Sequence, residues 1–257
     1  MKRSLSRLAG LLLLSAVALL PLLALLPFRP APQYPFERYP APRCQSSGPW
    51  QLAKPGAVPP RVSATTVVRS GGQSYHLRAF NGRIPSDTFY VALSVGGVTK
   101  QFLEPWYLLP ESLTQPVRVA DINGDGRMDL KLVVNALGAG AVRGLVRVVY
   151  LFGQPGGGFA KVSFLSFHNG PERDFDGDGN YEMVVRELVS YRGHSYWSFN
   201  VFHYSGGQLV NVSTRYGYPV LIQFLNKPNY QVTANISRQE AQQFLLKQPR
   251  EYDQSNG

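Results

Sequence analysis

The chain has 257 residues, 44% hydrophobic and 16% charged, a balance that supplies a buried core and excludes a disordered acidic or basic protein. One Cys excludes an intramolecular disulfide framework and a Cys-based zinc site, and four His at 76, 168, 194 and 203 form no HExxH pattern. The net charge of +10 favours anionic partners in general, but no stretch is dense in Lys and Arg with interleaved aromatics, so no nucleic acid is expected.

Residues 1–28 read as an export signal or an N-terminal membrane anchor. Lys2, Arg3 and Arg7 precede a run from Leu8 to Leu26 that is apolar apart from Gly10, Ser15 and Pro21. The run is longer than a usual signal-peptide core and approaches the length of about 20 residues that spans a bilayer. The flanking charge places the N-terminus in the cytoplasm and the rest outside. Two outcomes stay open: a chain anchored in the membrane and facing outward, or one cleaved and secreted or periplasmic. Residues 29–61 read as a Pro-rich linker, because ten of the 20 prolines fall within 27–60 and such a stretch is a stiff, extended spacer. Cys44 lies in it, and the preceding Ala41-Pro42-Arg43 does not suit lipidation.

Residues 62–236 read as an all-β repeat domain. Phe89 to Val95 and Val98 to Leu103 flank Gly96-Gly97. Val146 to Phe152 and Phe159 to Phe164 flank a Gly-rich turn, and Trp197 to Tyr204 and Leu209 to Ser213 flank Ser205-Gly206-Gly207. Each pair predicts a hairpin. Val220 to Leu225 and Tyr230 to Ala234 are a fourth candidate. Ser237-Arg238-Gln239-Glu240 is a capping box that predicts a helix over 237–248, stopped at Pro249. Residues 249–257 read as a frayed tail.

Seven of the 16 acids sit in two short loops. The first is Asp121-Ile122-Asn123-Gly124-Asp125-Gly126-Arg127-Met128-Asp129. The second is Asp174-Phe175-Asp176-Gly177-Asp178-Gly179-Asn180-Tyr181-Glu182. Each places side-chain oxygens at positions 1, 3, 5 and 9 and Gly at 4 and 6. A hard cation such as Ca2+ takes six to eight oxygens at about 2.3–2.6 Å, and glycine permits the tight coil this demands. Position 7, Arg127 or Asn180, would offer its backbone carbonyl. An EF-hand is excluded, because position 12 is Leu132 or Val185 and the flanks are β-like rather than helical. Uncompensated, three or four carboxylates in one turn repel one another; a cation turns that repulsion into a cross-link. Ordinary Asx-Gly turns are the alternative, and two loops with the same spacing count against it.

After each loop come strands and a Gly-rich turn, so the chain reads as a repeat. It resembles the FG-GAP/VCBS repeats of integrin alpha chains and bacterial exported proteins through Ala120 to Leu130, Asp174 to Val184, and the Gly-rich turn from Phe152-Gly153 to Phe159; the Gly-Ala-Pro element is absent. The resemblance implies β-propeller blades with structural Ca2+ at two sites. The ligands would be Asp121, Asn123, Asp125, Arg127 (carbonyl) and Asp129, and Asp174, Asp176, Asp178, Asn180 (carbonyl) and Glu182. A closed propeller needs about four to eight blades and this chain supplies about three units. The expected fold is therefore an incomplete β-propeller-like stack of antiparallel hairpins with a C-terminal helix.

The function expected from these features is that of an exported calcium-binding protein whose metal stiffens an interaction domain for an outside ligand, an anionic polysaccharide or a protein. The alternative is an envelope-associated hydrolase with structural Ca2+, its active site built from residues such as His168, His194 or His203. No GxSxG, SxxK or HExxH pattern supports it, so no catalytic residue is assigned. Trp50, Trp106 and Trp197 read as packing residues.

Overall fold

A computed structural model describes residues 34–53, 63–82, 88–106, 108–135, 144–223 and 236–256. The expected signal or anchor over 1–28 lies outside them, as does the 230–234 half of the fourth hairpin. Among the described residues no helix is long and apolar enough to cross a membrane.

The described chain is all-β, in three antiparallel sheets. The first sheet is a meander of β2 (Gln51–Leu52), β3 (Ser63–Ser70), β4 (Gln73–Asn81), β5 (Phe89–Val95) and β6 (Val98–Glu104), in that order. The central sheet runs β1 (Gln45–Ser46), β7 (Arg118–Ala120), β8 (Asp129–Asn135), β9 (Val146–Gly153), β10 (Phe159–Ser166), β15 (Arg250–Asn256). In the third sheet the long strand β12 (His194–Ser205) pairs on one side with β11 (Met183–Tyr191). On its other side it pairs with β13 (Gln208–Asn211) and β14 (Val220–Gln223). The predicted hairpins match β5–β6, β9–β10 and β12–β13. A further hairpin, β3–β4, turns at Gly71-Gly72, where φ is 56° and 76°.

The side-chain period of two sorts these strands into layers. Leu77, Val91, Leu93 and Phe102 of the first sheet pack against Leu130, Leu132, Val149 and Leu151 of the central sheet. The other face of the central sheet offers Val133, Val148, Tyr150, Phe152 and Phe164 to Met183, Val185, Phe202 and Tyr204 of the third. The central strands are thus buried on both faces, and β9 reads as the nearly unbroken apolar run that such a position needs. Each fully buried side chain of this kind stabilises the fold by about 1.5–3 kcal/mol.

Two ionic clusters are sealed between the layers. On the side of the first sheet, Glu104 of β6 meets Arg147 Nε at 2.8 Å and Lys161 Nζ at 2.9 Å, all three fully buried. Arg147 also donates to the Glu251 carbonyl and Lys161 to Asp253, both on β15. On the other side, Lys131 Nζ and Tyr150 OH donate to Glu172 Oε1 at 2.7 and 2.5 Å. Buried ions are tolerated only when paired in this way.

Three expectations need correction. The Pro-rich stretch is not a spacer where it is described: residues 34–53 form a strap across all three sheets. Phe36 is 1% exposed and packs on Phe199 of β12 at 5.3 Å, β1 pairs with β7, and β2 pairs with β3. Trp50 Nε1 donates to the Gln115 carbonyl and Arg173 to the carbonyls of Glu37 and Tyr39. Its prolines fix an extended backbone, which suits a strap as well as a spacer. Nor are residues 249–257 a frayed tail, since β15 pairs with β10 from Leu165–Arg250 to Ala160–Asn256. The C-terminal helix is capped as expected, Ser237 Oγ accepting from Glu240 N and Glu240 Oε2 from Ser237 N. It is, however, only Arg238–Ala241, followed by a 3-10 turn over Gln242–Phe244.

Candidate metal centre

Both acidic loops are closed by the same element. Ala120 pairs with Asp129 at the end of β7–β8, and Arg173 pairs with Glu182 in an isolated bridge ahead of β11. In each case the residue before loop position 1 faces position 9.

The backbone inside the loops is held by the acids. In the first, Gly126 N donates to Asp121 Oδ2 at 2.9 Å, Arg127 N to Asp125 Oδ1 at 2.9 Å, and Ile122 N to Asp129 Oδ2 at 2.8 Å. In the second, Gly179 N donates to Asp174 Oδ2 at 3.4 Å, Asn180 N to Asp178 Oδ1 at 2.7 Å, and Phe175 N to Glu182 Oε2 at 3.0 Å. Position by position these are the same three bonds. The glycines have φ of 70° and 81° in the first loop and 82° and 84° in the second, the left-handed region open to a residue without Cβ.

The loops also touch each other. Tyr181 N donates to the Ile122 carbonyl at 2.8 Å. A Cβ on Gly124 would lie 2.8 Å from the Gly179 carbonyl oxygen. Between the loops and the strap lies a groove of about 520 Å3, lined by Arg43, Gln45, Asp121, Asp178 and Tyr181 among others.

The two loops differ in what they leave free. In the second, carboxylate oxygens of Asp174, Asp176 and Asp178 lie within 4.8 Å of one another, the spacing of ligands that share one ion at about 2.3–2.6 Å. Among the described residues no ion pair reaches these three groups. Asn180 Oδ1 is buried without a hydrogen-bond partner. In the first loop, Asp121, Asn123 and Asp125 hold the equivalent positions, but Arg127 Nη2 reaches Asp125 Oδ2 at 2.7 Å and Asn123 Nδ2 donates to the same oxygen. A guanidinium thus supplies part of the positive charge that the second loop lacks. The spacing pointed to the Arg127 carbonyl; an Arg inside an acidic loop was the available signal for its side chain.

Position 9 turns inward in both loops. Asp129 is fully buried, and its Oδ1 accepts from Gly153 N at 2.9 Å while Oδ2 accepts from Ile122 N and Asn123 N. Glu182 accepts from Phe175 N, and from Tyr216 OH at 3.0 Å. The same hydroxyl lies 2.8 Å from Asp176 Oδ2, so Tyr216 links Glu182 to the carboxylate cluster. Burial pushes both acids up to about 7, against the N–H and O–H groups that pull them down. Asp129 and Glu182 therefore act first as struts between loop and sheet. Tyr216, 34 residues beyond Glu182, carries no signal in sequence.

The three histidines of the alternative reading have separate surroundings. His168 packs edge-on to Phe36 at 5.1 Å, and burial holds it down to about 3, so the ring is neutral. His194 is exposed at the start of β12, and His203 lies opposite Val210. Trp197 is buried, and Trp50 and Trp106 pack against the core.

No protein-family model, curated protein or solved structure matches the chain.

Proposed function

We propose that this chain is an exported calcium-binding protein of the FG-GAP/VCBS type, in which Ca2+ at the acidic loops stiffens the sheets of an interaction domain. The observation that carries the reading is the convergence of Asp174, Asp176 and Asp178 in a loop whose backbone bonds repeat those of a second acidic loop docked against it. Asp174, Asp176 and Asp178 are the ligands of the stronger site and the Asn180 carbonyl completes it, while Glu182 braces the loop through Phe175 N and Tyr216. Asp121, Asn123, Asp125 and the Arg127 carbonyl form the weaker one, with Asp129 holding its backbone from the sheet side. The metal's contribution is electrostatic: it cancels the repulsion among the loop acids and converts binding free energy into folding free energy. Support for export comes from the basic start and the apolar run Leu8 to Leu26.

The test is thermal melting of the full chain in Ca2+ and in chelator. At 100 times the dissociation constant, binding adds about 2.7 kcal/mol, expected to raise Tm by about 5–10 °C at this size. An unchanged Tm at saturating Ca2+ overturns the metal reading.

A further inference from the structure

The outward face of the first sheet is a flat array of bases, hydroxyls and two aromatic rings. Strand register places its side chains in rows across four strands. Ser63, Phe80, Tyr90 and Leu103 form one row, and Thr65, Arg78, Ala92 and Gln101 the next. Val67, His76, Ser94 and Thr99 form the third, with Arg69 and Ser74 beyond. No Asp or Glu occurs among them, whereas Arg69, His76 and Arg78 are exposed bases. Val67 and Leu103 are 41% and 47% exposed. At about 4.8 Å between strands and 6.7 Å between alternate residues, the three full rows cover roughly 13 by 14 Å.

Three features select the partner. The face carries basic groups and no acid, so it attracts anions and repels none. Its remaining polar side chains are hydroxyls, on Ser63, Thr65, Ser74, Tyr90, Ser94 and Thr99, and the amide of Gln101, with Ser94 and Thr99 hydrogen-bonded at 2.7 Å. Phe80 and Tyr90 stack on each other at 5.4 Å, and the Arg78 guanidinium lies over the Phe80 ring at 4.5 Å. One of the two rings is thus already covered by a cation, which sets N–H donors where bare π surface would be. This disfavours the base stacking on which single-stranded nucleic acid binding depends and suits a carboxylate or sulfate.

We infer that this face binds an acidic polysaccharide, its anionic groups meeting Arg78, His76 and Arg69 and its hydroxyls meeting the Ser, Thr and Gln side chains. The inference rests on the interaction-domain part of the reading above and not on its metal chemistry, since none of these residues belongs to an acidic loop.

The test is calorimetric titration of the full chain with a galacturonate oligomer, a sulfated dextran oligomer, a neutral galactan oligomer and single-stranded DNA. One or both acidic glycans should bind, the two arms telling carboxylate from sulfate, with the neutral oligomer at least about tenfold weaker. Binding should fall with added salt. Arg78→Ala and Gln101→Glu should each weaken it about tenfold or more, while Lys247→Ala, an equal loss of charge at an exposed site elsewhere, should leave it unchanged. Gln101→Glu changes an exposed side chain, and its melting curve checks that the fold survives. Equal affinity for neutral and acidic oligomers, tighter binding of DNA, equal effects of Arg78→Ala and Lys247→Ala, or self-association through this face without glycan binding would each overturn the inference. An absent Ca2+ effect on melting, with glycan binding intact, would instead remove the metal reading alone.

Discussion

Gly124→Ala tests whether contact between the two acidic loops contributes to stability. Gly124 and Gly126 both sit at positive φ, 70° and 81°, so Ala at either incurs the left-handed penalty, about 1–2 kcal/mol. They differ in surroundings. A Cβ at 126 meets nothing within 4 Å, whereas one at 124 would lie 2.8 Å from the Gly179 carbonyl oxygen and 3.2 Å from Asn180 N. These are backbone atoms, so one loop has to move. Moving it breaks the Tyr181 N–H bond to the Ile122 carbonyl, which is about 0.5–1.5 kcal/mol, and costs packing of similar size. Gly124→Ala is therefore expected to cost about 3 kcal/mol and Gly126→Ala about 1 kcal/mol. In urea titrations of the full chain in chelator this appears as a lower midpoint at unchanged slope. In melting it appears as a gap of about 5 °C between the two variants. Equal destabilisation, within about 0.5 kcal/mol, would refute the argument that loop contact stabilises the fold.

Other outcomes follow from the same geometry. Asp178→Ala should weaken Ca2+ binding by calorimetry more than Asp129→Ala does, because Asp178 lies in the carboxylate cluster and Asp129 faces three backbone amides. Asp129→Ala should instead lower stability in chelator by about 2–4 kcal/mol, since those buried donors lose their acceptor. Glu187 is pushed up to about 7 by burial. A raised carboxyl folds protonated, so its effect is absent below about 4 and destabilises increasingly as pH rises toward 7. Glu187→Gln should thus leave stability unchanged at pH 4 and raise it at pH 8 by roughly 2–3 kcal/mol, read by urea titration at the two values. Arg147→Met should lower stability by about 3–5 kcal/mol, because it leaves Glu104 with Lys161 alone in the interior; a change below about 1 kcal/mol would mean the cluster is wet.

The hairpins were legible in the sequence because they obey local rules. Alternation, β-branched residues and Gly pairs mark β5–β6, β9–β10 and β12–β13 without knowledge of their neighbours. The strap was not legible: proline content describes backbone preference, and what docks residues 34–53 is a few separated anchors, Phe36, Trp50 and the Ser47 hydroxyl that accepts from Val117 N. Strand β15 was hidden for a different reason. Arg250-Glu251-Tyr252-Asp253 has no apolar alternation, because an edge strand is held by its ladder, and here also by Arg147 and Lys161, about 100 and 90 residues earlier. Within the acidic loops the spacing placed the oxygens at positions 1, 3 and 5 together. It missed the inward turn of position 9, because the partner of Asp129 is Gly153, a strand away. The contact of Gly124 with Gly179 depends on how two units pack, and no single loop encodes it.

The central sheet has its first strand near the start of the described chain and its last at the end, Gln45–Ser46 on one rim and Arg250–Asn256 on the other. Strand β15 supplies β10 with its outer partner and gives Arg147 and Lys161 two of their acceptors, the Glu251 carbonyl and Asp253. Both rims of the middle layer are thus supplied by segments far from its centre in sequence, and long-range pairings of this kind form slowly.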